Sequence, residues 1–303
     1  MKPQSLLSPA LLGLLLIASS CSKQSGTGST GSGKSSNTGS TTDTTTISAS
    51  SKRGADFSTN STNGTWQNDV VNLKSWWFYT WGTPIPPGSP VNCEFVPMFW
   101  GGANVTQANI DSVIAWKTAG KAKYVLGFNE PDQSGQSNMT VSQALALWPQ
   151  LESIGLPLGS PAVSYPTVSW FTEFMDSVAA EHLRVDFICV HMYVGTDDNN
   201  FVQVLQTLYN TYHLPIWVTE FATADWNATS IGNNMYTAAD ALGFMQRLLP
   251  KLDSLTFVQR YSWFSGDPTS PQLWPSALVD ASGNLTTLGT WYAGHEANTQ
   301  VKL

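Results

Sequence analysis

Two glutamates stand where acid–base chemistry would need them. The first lies in Val125-Leu126-Gly127-Phe128-Asn129-Glu130-Pro131-Asp132. The apolar run from Tyr124 to Phe128 reads as a buried strand. It stops at Asn129-Glu130-Pro131, because proline lacks an N–H and forces its predecessor towards an extended conformation. A carboxylate at the mouth of a strand, beside an amide that can hydrogen-bond a hydroxyl, suits proton transfer. The same octapeptide also fits a loop glutamate that caps the next helix. The second glutamate ends another short apolar strand, Leu214-Pro215-Ile216-Trp217-Val218-Thr219-Glu220-Phe221-Ala222. Alternation predicts that Ile216, Val218 and Glu220 share one face. If that face lines a barrel, Glu220 sits at its rim, as Glu130 does. Two carboxylates at the same end of two parallel strands are what glycosidic cleavage requires.

Other side chains gather near the same expected rim. His191-Met192-Tyr193 ends a strand on which Cys189, His191 and Tyr193 share a face. A Tyr hydroxyl there can orient a carboxylate nucleophile; a satisfied core histidine under an aromatic lid is the alternative. Trp263, at the end of the last strand, is the best candidate for a flat sugar platform, with Trp81, Trp100 and Trp226 as further candidates or simple loop packing. Trp76, Trp77, Trp148 and Trp217 lie within strands or helices and are assigned to core. Arg260, inside the last strand, is expected to pair with a buried carboxylate in a structural role.

These residues need a scaffold that brings strand ends together. Expected strands are Lys52 to Ala55, Ser75 to Tyr79, Glu94 to Phe99, Tyr124 to Phe128, Leu156 to Ser160, Val185 to His191, the run ending in Glu220, and Val258 to Phe264. Helices fall between them: one with a Thr106 cap, an Ile110, Val113 and Ile114 face and a Gly120 stop, and one through Ala144, Leu147 and Leu151 ending at Gly155. Three more are marked by Trp170 to Val178, Phe201 to Tyr212 and Leu242 to Leu249. A hairpin around Asp280 to Gly283 and a segment from Leu288 to Ala293 complete the chain. Strands alternating with helices imply a parallel sheet, and about 250 residues suit a single (β/α)₈ TIM barrel, whose active site lies at the C-terminal ends of the strands. If Lys52 to Ala55 were not a strand, Ala277 to Val279 would be the eighth and the glutamates would move to strands three and six.

The chain has 303 residues, 42% hydrophobic and 12% charged, with a net charge of −7. That suffices for a large core, and the mild acidity argues against a nucleic-acid partner. Thirteen Trp, nine Tyr and thirteen Phe are unusually many; core packing is one use for them, and the flat rings of sugar-binding clefts are another. Lys2, the apolar run Leu6 to Ile17 and Ala18-Ser19-Ser20 before Cys21 form a targeting segment over residues 1–21. Ala-Ser-Ser-Cys resembles a bacterial lipobox, which predicts lipidation at Cys21 and a secreted protein anchored to the bacterial cell envelope, at the outer membrane or cell surface; an ordinary secretory signal is the alternative. Residues 22–51, nearly all Ser, Gly and Thr, read as a flexible linker, leaving 52–303 as the catalytic domain. Sequons at Asn60, Asn63, Asn104, Asn138, Asn227 and Asn284 arise readily in a Thr/Asn-rich chain. Cys93 and Cys189 read as separate buried thiols. No Cys/His cluster has metal-ligand spacing, and no metal or other cofactor is expected.

Seven blocks then fall into a familiar order: Trp76-Trp77-Phe78-Tyr79-Thr80-Trp81, Phe95 to Gly101, Leu126 to Asp132, Gly159 to Val163, Asp186 to Tyr193, Trp217 to Ala222 and Arg260 to Phe264. Together they resemble glycoside hydrolase family 128, which includes the fungal alkali-sensitive-linkage-type cell-wall proteins. The resemblance runs from about Lys52 to Gly289. It implies a clan A barrel, retaining endo-β-1,3-glucanase activity on laminarin- or curdlan-like glucans, Glu130 as acid/base on strand four and Glu220 as nucleophile on strand seven. It also implies that Asn129 contacts the sugar 2-hydroxyl, and that His191, Tyr193 and Trp263 match residues of the clan's site. Met192 departs from the pattern, since family members often carry Trp there. A monomer is expected. The rival readings are a non-catalytic β-glucan-binding surface protein on the same fold and a clan A hydrolase of another β-glycan.

Overall fold

The computed structural model describes residues 52–60 and 65–303. The targeting segment, Cys21 and the expected linker lie outside the described residues. Six parallel strands form one sheet: β1 (Arg53–Asp56), β2 (Trp77–Tyr79), β3 (Glu94–Phe95), β4 (Ile188–Val194), β5 (Ile216–Thr223) and β6 (Val258–Trp263). Their order is β3-β2-β1-β6-β5-β4. Two less regular segments close the ring between β3 and β4. Met98 bridges to Leu126, Val125 to Leu158, Asn129 to Ala162 and Gly159 to Phe187, all in parallel. Residues 125–129 and 158–162 are thus the fourth and fifth staves of the expected (β/α)₈ barrel.

The irregularity has local causes. Pro97, Pro157 and Pro161 contribute no N–H to a ladder, although the Pro97 and Pro157 carbonyls still accept from Leu126 and Val125 at 2.9 and 3.0 Å. Staves four and five also approach closely at Gly127, where a Cβ would lie 2.8 Å from the Gly159 carbonyl.

The short first strand is fixed by its charges. Lys52 Nζ donates to the carbonyls of Leu252, Asp253 and Leu255 at 2.8–3.0 Å. Arg53 reaches the carbonyls of Leu73, Lys74 and His295. Cations at exposed helix C-terminal carbonyls are stabilising, so Lys52-Arg53 locks β1 to the helical layer. Counting strands from Lys52 is therefore right; Val279 instead pairs antiparallel with Leu285 in the expected hairpin.

Among the described residues, seven α-helices surround the ring: α1 (Trp66–Asn72), α2 (Gln107–Thr118), α3 (Val141–Glu152), α4 (Ser169–Ala180), α5 (Asp198–Tyr212), α6 (Ala238–Ser254) and α7 (Thr287–Gly294). Thr106 caps α2, accepting from the Asn109 N–H at 3.3 Å, and Gly120 and Gly155 take left-handed φ of 69° beyond α2 and α3. α1 has no counterpart among the helices expected from sequence. Its seven residues hold few strong helix formers, and packing of Trp66 and Val70 secures it.

Two cores result. One lies between sheet and helices, and a smaller one inside the ring contains Trp77, Tyr79, Phe187, Cys189 and Trp217. Cys93 and Cys189 are free thiols, both pushed up by burial. At the lower end the Arg260 guanidinium sits 4.3 Å from the Trp217 ring centroid and 4.7 Å from that of Tyr124. It also donates to Glu94 Oε2 at 3.0 Å. This is the structural pairing expected of Arg260.

One expectation about β5 is corrected. Ile216 and Val218 face the helices, while Trp217 faces the barrel interior. Simple alternation would then turn Glu220 outward. The ladder with β4 pairs Val190 with Val218 but His191 with Glu220, so Thr219 is an extra residue. Such a bulge resets which residues face inward.

Candidate active site

Glu130 follows stave four in a left-handed conformation, φ 39°, and not in the extended one expected before Pro131. For a residue with a Cβ this costs about 1–3 kcal/mol and persists only where surroundings enforce it. Its N–H donates to the Ala162 carbonyl at 2.6 Å, and its carbonyl accepts from Gln133 at 3.0 Å. The loop then folds back on the stave, with Ser137 N–H on Asn129 O and Met139 N–H on Pro131 O. Asp132 ties this loop to the next one by accepting from both the backbone N–H and the hydroxyl of Ser164.

Glu220 is held by three neutral donors. Tyr79 OH and Trp81 Nε1 donate to Oε1 at 2.9 and 2.7 Å, and Tyr193 OH donates to Oε2. His191 lies between the glutamates and is fully buried. Its Nδ1 is 3.0 Å from Glu130 Oε1, and its Nε2 is 3.3 Å from Glu220 Oε1 without the alignment of a hydrogen bond. Burial would lower the His191 pKa, but Glu220, the bond to Glu130, and Asp132 together raise it above the ordinary value. One oxygen of each glutamate and a ring nitrogen of His191 all lie within 4.8 Å of one another. Among the described residues this is the one cluster whose donor atoms could converge on a cation. Both histidine nitrogens face the carboxylates, an arrangement suited to sharing protons.

The glutamates open into a cleft of about 880 Å³, also lined by Asn129, Gln133, Gln136, Ser164, Tyr165, Tyr193, Phe264 and Leu273. Trp81, Trp100 and Trp226 line it too. Trp226 is 60% exposed and its edge meets the Tyr193 ring. Asn129 is buried, donates from Nδ2 to Gln136 Oε1 at 3.2 Å, and leaves Oδ1 without a partner.

Trp263 requires correction as a sugar platform. It is fully buried in the outer core, packed on Phe221 and Phe244, with Nε1 bonded to the Ser276 carbonyl. No face of it is open; its neighbour Phe264 reaches the cleft instead. Strand alternation explains the exchange, since adjacent residues point to opposite faces. Met192 is likewise buried in the outer core.

Two residues near Glu220 were not anticipated. Tyr79 ends β2 facing inward, two residues after Trp77, a position its alternation marks. Asp56 ends β1, and an acid closing a short strand is the signal that marked both glutamates. Asp56 Oδ2 accepts from Ser262 Oγ at 2.7 Å, while Oδ1 is buried without a partner. Burial and then Glu220 push its pKa well above the usual carboxylate range, against the Ser262 bond.

Residues 54–292 match the family model described as "Glycosyl hydrolase catalytic core". A parallel barrel with opposed carboxylates at one rim agrees with that class. Among solved structures, a subgroup I endo-β-1,3-glucanase of family 128 from Amycolatopsis mediterranei, in complex with laminarihexaose, is 35% identical, with a TM-score of 0.69 over 80% of this chain and 99% of that one. A subgroup II endo-β-1,3-glucanase from Sorangium cellulosum is 26% identical, with a TM-score of 0.63 over 80% and 97%. Alkali-sensitive linkage protein 1 of Schizosaccharomyces pombe is 34% identical over 261 residues, which are 81% of this chain and 45% of that protein. The chain thus spans less than half the length of that curated relative. It belongs to glycoside hydrolase family 128.

Proposed function

We propose that this protein is a retaining endo-β-1,3-glucanase, with Glu130 as acid/base and Glu220 as nucleophile. The observation that carries the reading is their opposition across His191, with carboxylate oxygens within 4.8 Å. Retaining pairs lie about 5–5.5 Å apart, whereas inverting pairs need about 6.5–9.5 Å to admit a water. The laminarihexaose bound to the Amycolatopsis mediterranei relative supports a β-1,3-glucan as substrate.

Glu130 protonates the glycosidic oxygen while Glu220 attacks the anomeric carbon, forming a glycosyl-enzyme and releasing the aglycone sugar. Glu130, now ionised, takes a proton from water as that water displaces Glu220. Tyr79, Trp81 and Tyr193 hold Glu220 for attack. Asn129 presents its amide to the 2-hydroxyl, and Trp100, Trp226 and Trp81 offer rings to neighbouring sugars. The protein acts as a monomer tethered through a lipid on Cys21 and a linker over residues 22–51, at the bacterial envelope.

Product analysis tests the activity. Laminarin and curdlan should give new reducing ends in the interior of chains, with the β-anomer appearing first by NMR. Binding without cleavage would favour a glucan-binding protein, and preferential cleavage of a β-1,4-glucan would move the substrate class. Labelled palmitate incorporation that survives Cys21→Ala would sink the anchor.

A further inference from the structure

Glu130 and Glu220 are held very differently. Glu220 has three donors from two staves and a following loop, whereas the Glu130 carboxylate has His191 as its hydrogen-bond partner among the described residues. The direction of Glu130 therefore depends on its backbone, which is in the left-handed region at φ 39°. Relaxing that angle would swing the Cβ, and the carboxyl with it, out of the cleft.

The surroundings that prevent this are visible on both sides of the residue. Before it, the Asn129–Ala162 bridge and the Glu130 N–H on Ala162 O join stave four to stave five. After it, the Asp132 carboxylate accepts the Ser164 N–H at 2.9 Å and the Ser164 hydroxyl. Gln133 Nε2 closes the same knot, donating to Asp132 Oδ2 at 3.0 Å and to Ser164 Oγ at 2.9 Å. Pro131, between Glu130 and Asp132, has a fixed φ and transmits the constraint.

We infer that Asp132, latched to Ser164, is a positioning residue that keeps Glu130 turned into the cleft. This rests on the reading of Glu130 as the acid/base. The Asp132 carboxyl acts through the loop, without itself meeting the sugar.

The test exploits leaving groups. Laminarin needs its departing oxygen protonated, whereas a 2,4-dinitrophenyl β-laminaribioside loses a phenolate that needs no proton. Asp132→Ala should lower kcat/KM on laminarin roughly ten- to a hundred-fold, since a misplacement of about 1 Å can cost about a hundred-fold. On the aryl glycoside it should stay within about threefold, with the melting temperature little changed. Asp132→Asn should recover most of the loss, because its Oδ1 accepts the Ser164 N–H and its Nδ2 can donate to the hydroxyl. Equal losses on both substrates, or none on either, would overturn the inference. Glu130→Gln is measured alongside: if it lacks the substrate split, the acid assignment fails; if it shows the split and Asp132→Ala does not, only the latch fails.

Discussion

His191 pairs with Glu220 across the β4–β5 ladder, one residue out of step with the Val190–Val218 pair beneath it. Thr219 absorbs the difference, and its insertion is what aims the Glu220 carboxylate at the ring of His191. The same histidine reaches Glu130 with its other nitrogen, so one buried side chain sets the spacing of the two acids.

Replacing either acid by its amide removes chemistry while keeping shape. Glu220→Gln and Glu130→Gln should each reduce laminarin hydrolysis by roughly two to four orders of magnitude. Glucan affinity, measured by calorimetry with laminarihexaose, should change little. Wild-type turnover by Glu220→Gln would end the assignment.

The Tyr193 hydroxyl donates to Glu220 Oε2 in a largely buried setting. Hydrogen bonds to charged groups contribute about 1.5–3 kcal/mol, so Tyr193→Phe should lower kcat by about ten- to a hundred-fold. KM should hold if Glu220 is the nucleophile proposed above, because the lost bond orients its carboxylate. A change confined to KM would point to a sugar contact instead.

Two tryptophans should separate cleanly. Trp263→Ala opens a cavity in the outer core and should cost about 3–5 kcal/mol of stability by urea denaturation. Trp226→Ala removes an exposed ring from the cleft and should raise KM for long oligosaccharides several-fold, with the urea midpoint unchanged. A stable Trp263→Ala with a raised KM would return that residue to the sugar path.

Asp56 gives a pH signature. Its folded pKa lies well above that of an unfolded aspartate, about 3.9. The folded state therefore keeps a proton that the unfolded chain has lost, and stability falls as pH rises from about 4 through the folded value. Asp56→Asn should lack that part of the slope and gain on the wild type as pH rises above about 4 in denaturant titrations. His191 acts with the same sign, its contribution being lost as pH rises above about 6.5 and through its raised value. Parallel profiles for the wild type and Asp56→Asn would contradict the assignment.

Much of this arrangement was legible in the chain. Strand-terminal acids marked Glu130 and Glu220, and alternation on β4 put His191 and Tyr193 together, because β4 runs regularly through them. On β5, simple alternation points to Glu220 through the wrong face, since a bulge at Thr219 leaves no mark in hydrophobic pattern. Trp263 is ambiguous in sequence for a related cause: one residue at a strand end decides between cleft and core, and both Trp263 and Phe264 are aromatic. The segments of staves four and five fall where the sequence places them, yet Pro161 within stave five and the flanking Pro97 and Pro157 leave them joined by isolated bridges. Tyr79 and Asp56 carry the same strand-end signals, but only the fold shows that they meet Glu220 and Ser262, more than a hundred residues away.

The left-handed turn at Glu130 gives the two acids unequal resistance to heat. Glu220 lies within a strand paired on both sides, just past its bulge, while Glu130 depends on a loop in an unfavourable backbone state, and such segments open before the core does. On warming, the protein should stop cutting its polysaccharide while it can still take a sugar from an activated phenol. Stabilising that one loop would widen the working temperature range without touching the barrel.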